Sequence, residues 1–209
     1  MKSFYMVGVL AILLGGVVSA QDSVIDKWNY IEPPAVPVLQ KVEVDASVTA
    51  LLVLDIEQRT VPARPRAVAI VPGVKKLIEW ARKNDILVVY STTPGVSPDT
   101  ILPEVKPARG EVVVAASVDK YFNTKLEDTL RAKGITNVII TGVAAEGAVL
   151  GTTIGSVVRG LKVILPVDGM ASSELFYEQY VVVHVLNAPG TRGNVTITKM
   201  DMIKTKSMK

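Results

Sequence analysis

Apolar and polar positions along the chain form alternating blocks that predict strands and helices in turn. Short runs of consecutive apolar residues are typical of strands that are buried on both faces. They predict strands over residues 49–55, 86–91, 111–114, 138–141, 162–165 and 194–198. Helical spacing of apolar residues and helix-ending residues predict helices over 72–84, 125–133, 146–159 and 173–186. This alternation predicts an α/β fold: a three-layer sandwich in which helices cover both faces of a mostly parallel six-stranded sheet.

Proline and glycine mark the predicted helix ends. Pro72 is predicted to open the first helix, because proline is favoured in a first turn. Gly134 and Gly160 are predicted to end the second and third helices, since glycine readily adopts the backbone conformation that follows a helix.

The predicted sheet places a ligand site at the carboxyl ends of two strands. With the strand order 3-2-1-4-5-6, the first and fourth strands lie side by side where the order reverses. Ligands bind at such a switch point in open α/β sheets. The first strand ends at Asp55 and the fourth at Thr141 and Gly142, so an acid and a turn of small residues are expected to converge there.

The two ends of the chain differ from this pattern. Residues 1–20 combine Lys2, an apolar run over 4–18 and a small-residue cleavage site, which predicts a signal peptide. The prolines within residues 21–46 predict an extended arm, and residues 201–209 predict a basic, solvated tail. The predicted domain spans residues 47–200, and the cleaved protein is expected to be secreted or periplasmic and not held by a membrane.

Composition narrows the chemistry. A net charge of +3 without a basic stripe does not indicate nucleic-acid binding. The sequence contains no cysteine, so it offers neither a disulfide nor a thiol nucleophile. His184 is the single histidine, and one histidine without cysteine gives no zinc-type ligand spacing. We therefore expect neither a metal nor a cofactor.

Four segments, in order, resemble the isochorismatase-like hydrolases, a superfamily that includes nicotinamidases and N-carbamoyl amidohydrolases. The resemblance covers roughly residues 47–198. The segments are Ala50-Leu-Leu-Val-Leu-Asp55, Asp119-Lys-Tyr-Phe-Asn-Thr-Lys-Leu126, Thr141-Gly-Val-Ala-Ala-Glu-Gly-Ala-Val149 and Val167-Asp-Gly-Met-Ala-Ser172. The resemblance implies a strand–turn–helix site near Gly142, a cis peptide near Val143 and Ala144, and a homodimer or homotetramer.

The resemblance also implies a triad of Asp, Lys and Cys, in which the thiolate attacks a carbonyl carbon. Asp55 matches the catalytic acid. Aligned on Phe122, the family lysine falls on Ala116, and aligned on Gly142 the cysteine falls on Ala148. Because alanine can neither attack nor carry charge, the covalent mechanism of the family is not expected here.

Asp55 is therefore the predicted catalytic residue, and the other predicted site residues are expected to bind a small-molecule ligand, either a carboxylate or an amide. Those residues are Glu57, Lys120, Phe122, Val143, Ala144, Ala145, Glu146 and Ala148. Lys120 either reaches into the site and restores its positive charge or lies on the surface. Glu57 and Glu146 either activate a water or are ordinary loop and helix-start acids.

Three arginines after the first strand, Arg59, Arg64 and Arg66, fit either an anion-binding entrance or a solvated loop. The sequence is compatible with two functions. One is an exported hydrolase that acts on a small amide or ester through activated water. The other is a catalytically inactive binding or assembly-forming protein on the same fold.

Overall fold

The computed structural model describes residues 22–206, and the predicted signal peptide lies outside them. The chain divides into two compact units, Met1–Ala35 and Val36–Lys209. The described part of the first unit contains one 3-10 turn, Trp28–Tyr30. No helix between residues 22 and 206 has the length and apolar character needed to cross a membrane.

The second unit alternates strands and helices. Its strands are β1 (Val42–Val44), β2 (Thr49–Leu54), β3 (Leu87–Thr92), β4 (Val112–Ala115), β5 (Asn137–Val143), β6 (Lys162–Pro166), β7 (Met170–Ala171), β8 (Val195–Thr198) and β9 (Ile203–Thr205). Its α-helices are α1 (Pro65–Lys83), α2 (Leu126–Ala132), α3 (Leu150–Val158) and α4 (Leu175–Asn187). A π-helical turn, Ala145–Val149, leads directly into α3.

The main sheet has the order β4-β3-β2-β5-β6-β8, and its pairings are parallel. This is the predicted order 3-2-1-4-5-6, so the α/β fold and its topology are confirmed. The short strand β7 pairs with β5 at Gly142 and Val143. Strands β2 and β5 are neighbours, with Leu54 opposite Gly142. The carboxyl ends of these two strands therefore lie together.

Side chains of β2 enter two hydrophobic layers in turn. Leu52 and Leu54 pack in the layer that includes α2, α3 and α4, whereas Leu51 and Val53 pack in the layer beneath α1. Successive residues of a strand point to opposite faces, so a strand covered on both faces must be apolar throughout. Burying each leucine contributes about 1.5–3 kcal/mol to folding. The layers thus hold β2, and the residue that follows it, in a fixed position.

The structure corrects the predicted start of the first helix. Helix α1 begins at Pro65, and Pro72 lies inside it. Pro65 occupies the first turn, where its missing N–H group costs no helical bond. The buried residues Ala67, Val71 and Val74 lie on both sides of Pro72 along the helix, and Pro72 itself is exposed. Burial of these residues outweighs the local cost of an internal proline.

Parts of the predicted arm and tail belong to the folded unit. Residues 42–44 and 203–205 pair as parallel strands β1 and β9, although these residues were expected in an extended arm and a solvated tail. Ile203 is buried, and the Thr205 hydroxyl hydrogen-bonds Asn84 at the end of α1. The prediction missed this pairing because each strand has only three residues, too few to show a pattern.

Candidate active site

Asp55 follows directly after β2 and is held in an uncommon backbone conformation. Its φ angle is 50°, in the left-handed region that non-glycine residues rarely occupy. Its N–H group donates to the Ser91 carbonyl at 3.2 Å, and its carbonyl accepts from the Thr60 hydroxyl. Such a conformation persists where surrounding bonds determine it, and it is commonest at functional sites. The backbone thus turns the Asp55 carboxylate away from the strand direction.

Lys120 forms a buried ion pair with Asp55. Its Nζ lies 2.7 Å from Asp55 Oδ2, and the two side chains are 0% and 5% exposed. The same Nζ donates to the Ala116 carbonyl at 2.6 Å. Of the two alternatives for Lys120, the structure shows the one in which it reaches into the site, and the alignment of the family lysine with Ala116 is wrong. Lys120 supplies the positive charge, and Ala116 contributes a backbone acceptor.

The alignment placed the lysine four residues too early because the chain between β4 and α2 is irregular. Its path is fixed by tertiary contacts: the Lys120 N–H group donates to the Thr152 hydroxyl, and the Thr124 hydroxyl donates to the Lys120 carbonyl. Residue spacing in the sequence does not reveal these contacts, so it could not locate the lysine. The contacts direct the lysine side chain inward.

The Asp55 carboxyl group has a raised pKa. Burial is the main cause, because it disfavours the charged form, and the negative charge of Glu57 acts in the same direction. The ammonium group of Lys120 and a hydrogen bond from Ser91, 2.7 Å from Asp55 Oδ1, oppose the shift. A raised pKa brings a carboxyl group closer to the range where it can both accept and release a proton near neutral pH.

The turn after β5 faces Asp55 from the neighbouring strand. The peptide bond between Val143 and Ala144 is cis, as the resemblance implied. Gly142 has a φ of 131°, and a side chain at this position would meet the Leu54 carbonyl oxygen at 2.0 Å. Only glycine fits this close approach of β5 to β2. The helical run that starts at Ala145 directs its amino-terminal end toward the site, which favours an anion or a developing negative charge.

A cavity of about 210 Å3 lies between the two halves of the site, which are the segment after β2 with Asp55 and the turn after β5. It is smaller than the roughly 300–1,000 Å3 typical of sites for drug-sized molecules, so a ligand here must be small. The lining residues are Asp55, Thr60, Arg64, Thr93, Pro94, Ala116, Ser117, Val118, Val143, Ala144 and Ala148. Ala148, the position at which the resemblance places the thiol, therefore shares the cavity with Asp55.

The other predicted ligand-binding residues have different positions. Phe122 is 67% exposed and does not line the cavity, and Ala145 is buried behind the turn. Glu146 lies in the first turn of the π-helical segment, where one carboxylate oxygen is buried without a hydrogen-bond partner among residues 22–206. Glu57 is fully buried and bonds Thr93 rather than facing the cavity.

Ser91, Thr60 and Thr93 were not predicted as site residues, and for Arg64 an anion-binding entrance was only one of two alternatives. Ser91 and Thr60 hold Asp55, and Thr93 and Arg64 line the cavity. Each lies at or after the carboxyl end of β2 or β3, so the topology could have indicated them. In the sequence they look like ordinary loop or strand-end residues.

We also searched the described residues for a metal site and for a second ligand cleft. Between residues 22 and 206, no cluster of three or more His, Cys, Asp or Glu side chains could hold a metal ion. A larger cleft of about 490 Å3 lies at the amino ends of β5, β6 and β8, lined by Asn137, Lys162 and Asn194 among others. Ligands of parallel sheets bind at the carboxyl ends, where the buried ion pair lies.

Comparison with known proteins agrees with this geometry. Residues 49–198 match the model of the isochorismatase domain. The chain belongs to the isochorismatase family. Over 141 residues it is 31% identical to a streptothricin hydrolase from Streptomyces noursei. That match covers 61% of this chain and only 56% of the relative, so the chain spans little more than half the length of that enzyme.

Two solved structures show the same fold as this isochorismatase-family chain. An isochorismatase-like hydrolase from Alkaliphilus metalliredigens has a TM-score of 0.65 at 23% identity, covering 73% of this chain and 95% of that one. An N-carbamoylsarcosine amidase from Thermoplasma acidophilum has a TM-score of 0.63 at 23% identity, covering 73% and 96%. The relatives named here are thus two hydrolases and an amidase.

Proposed function

We propose that this protein is a hydrolase that acts on a small amide or ester by activating water, without a covalent enzyme intermediate. The observation that carries the proposal is the buried Asp55–Lys120 ion pair, whose carboxylate opens into the same cavity as the turn from Val143 to Ala148. An acid, a cation and a helix amino terminus remain where the family's thiol is missing.

The proposed reaction uses Asp55 as the group that moves protons. As a cavity water adds to the substrate carbonyl carbon, Asp55 accepts the proton that the water loses. It then returns that proton to the leaving nitrogen or oxygen. Lys120 keeps a positive charge beside Asp55, and the amino-terminal end of the helical run from Ala145 favours the charge on the developing oxyanion.

A side-chain nucleophile is not part of the proposal. The sequence has no cysteine. The Ser91 hydroxyl donates its proton to Asp55, so it serves as a hydrogen-bond donor to the acid. Ser117 lines the cavity but has no hydrogen bond to a base among residues 22–206. Water is the nucleophile of the proposed reaction.

The test is turnover of small amides, carbamates and esters by the purified chain and two variants. Asp55→Asn should reduce kcat by at least about 100-fold, the usual contribution of a positioned acid or base. Asp85→Asn is the matched control, because Asp85 also has a positive φ, 58°, and is exposed at the end of α1. Turnover that survives Asp55→Asn, or no turnover of any substrate, would reject the hydrolase proposal.

A second candidate is a binding protein that does not turn its ligand over, and Ala148 favours it. Arg64 lines the cavity, and within residues 22–206 no carboxylate lies within 4.0 Å of its guanidinium group. Its guanidinium instead donates to the Thr60 carbonyl. This arrangement suits a ligand carboxylate. Small carboxylates should then raise the melting temperature more than the matching amides, and Arg64→Gln should remove that difference.

We also propose that the protein is exported and forms a homo-oligomer. Export is supported by the sequence of residues 1–20. Oligomer formation is supported by α4, which exposes the apolar or aromatic side chains of Leu175, Phe176, Tyr177 and Tyr180. Amino-terminal sequencing of the protein from the culture medium or periplasm tests the first proposal, and light scattering tests the second.

A further inference from the structure

Glu57 is a fully buried carboxylate that the proposed reaction does not use. Its relative exposure is 0%, and among residues 22–206 no lysine or arginine nitrogen lies within 4.0 Å of it. Burial of a carboxylate without a cation is unfavourable unless other groups compensate. We therefore asked which neighbouring groups the buried Glu57 carboxylate contacts.

Among residues 22–206, both hydrogen bonds that the Glu57 carboxylate accepts come from Thr93. The Thr93 hydroxyl donates to Oε1 at 2.6 Å, and the Thr93 N–H group donates weakly to Oε2 at 3.4 Å. Thr93 and its neighbour Pro94 line the cavity, just after the end of β3. Glu57 itself follows β2 and pairs across an isolated bridge with Ile101. The carboxylate therefore joins the segments after β2 and β3 and holds one wall of the cavity.

The charge of Glu57 also acts on Asp55. The charged groups around Asp55 are Lys120 in direct contact, Glu57 two residues along the chain, and Arg64, which lines the same cavity. The ammonium of Lys120 favours the ionised form of Asp55, and Glu57 opposes it. Two carboxylates near one ammonium group leave one negative charge in excess when both are ionised.

We propose that Glu57 is a positioning residue of the Asp55 site: its buried carboxylate fixes Thr93 in the cavity wall and places a second negative charge two residues from Asp55. The contribution to catalysis rests on the proposed hydrolase function. The effects on Asp55 and Thr93 belong to the free protein, and they can be measured whether or not a substrate is turned over.

Two variants separate the two effects. Glu57→Gln keeps an oxygen that accepts from the Thr93 hydroxyl but removes the charge. Glu57→Asp keeps the charge but is one methylene too short to maintain the 2.6 Å bond. Asp55 is followed by carboxyl-carbon NMR titration of aspartate-labelled protein, with its signal assigned by its loss in Asp55→Asn. Thr93 is followed by the exchange rate of its amide proton.

In Glu57→Gln the titration midpoint of Asp55 should fall, because a nearby like charge is gone. In Glu57→Asp the midpoint should stay near that of the unmodified protein, while the Thr93 amide exchanges at least about tenfold faster. An Asp55 midpoint within about 0.2 units of the original in Glu57→Gln would overturn the electrostatic part.

Unchanged Thr93 exchange in Glu57→Asp would overturn the structural part. If Glu57→Gln does not fold, Thr93→Val provides the second test: it removes the hydroxyl bond and should open the same wall, whereas Thr93→Ser should preserve it. The amide proton of Gly95, the next residue after Pro94, should exchange faster in Thr93→Val than in Thr93→Ser. Equal exchange rates in these two variants would also contradict the proposal. A protein without turnover that shows the NMR effects would reject the hydrolase function and retain the role of Glu57 in the site.

Discussion

The two halves of the cavity differ in what they retain. The half after β2 keeps its charges: Asp55 is bonded by Lys120 and Ser91, and the pair is almost fully buried. The half after β5 keeps its backbone: Gly142, the cis peptide before Ala144 and the helical turn are in place, but Ala148 offers no reacting group. The backbone of a site and its chemistry are thus separable, because packing of the strands fixes the former and single side chains decide the latter.

The largest expected effect tests the charged half. Lys120→Met should destabilise the protein by about 3–5 kcal/mol, because it leaves the buried Asp55 carboxylate without its cation. Urea unfolding measures this change. Lys125→Met, at an exposed lysine five residues on, should change stability by less than about 0.5 kcal/mol.

A double variant makes that test specific. Adding Asp55→Asn to Lys120→Met should recover part of the lost stability, since no buried charge then remains unpaired. Additive losses in the double variant would show that the two side chains do not act as a pair.

The next effect tests the backbone of the other half. Gly142→Ala should destabilise the protein by more than about 2 kcal/mol, because its new methyl group would meet the Leu54 carbonyl oxygen at the observed 2.0 Å. Gly95→Ala is the control: Gly95 also has a positive φ, 74°, but open space around it. It should cost only about 1 kcal/mol, and thermal unfolding should separate the two. Equal losses would mean that the close approach of β5 to β2 is not essential.

A variant with a smaller expected effect tests whether position 148 shares the cavity with Asp55. Ala148→Cys adds one sulfur atom to a cavity that already holds Asp55 as a proton acceptor and should change stability by less than about 1.5 kcal/mol. Because the chain has no other cysteine, alkylation by iodoacetamide reports this thiol alone. We expect it to react at least about tenfold faster than the thiol of Ala145→Cys, which is buried outside the cavity. Reversed rates would place the 148 position away from the ligand space.

The smallest effect concerns pH. The pKa of Asp55 is raised in the folded state, chiefly by burial, so the folded protein binds its proton more tightly than the unfolded chain does. The resulting stability is fully present below the unfolded pKa of about 4 and is lost as pH rises through the folded value. Relative to Asp55→Asn, the unmodified protein should therefore lose unfolding free energy as pH rises above about 4. Urea unfolding over a pH series measures the difference, and a difference that grows with pH would contradict it.

The sequence by itself determined the sheet. Six apolar runs in alternation with helices predicted the parallel sheet, and with the strand order of this fold class Asp55 and Gly142 were correctly expected to converge. Burial on both faces imposes apolar residues at every position of a strand, and such runs are visible without any knowledge of the partners. The family resemblance also placed the cis peptide correctly.

Only the tertiary structure decided which lysine faces Asp55 and what Glu57 contacts. Lys120 lies 65 residues beyond its partner in a segment without regular structure, and counting from Phe122 put the lysine on Ala116. Glu57 finds Thr93 across 36 residues. The apolar pattern of a segment indicates which of its residues are buried in the core. The hydrogen-bond partner of a polar loop side chain depends instead on which other segment the tertiary packing brings close to it. The turn around Ala148 could thus be predicted from the sequence, and the ion pair that gives it chemistry could not.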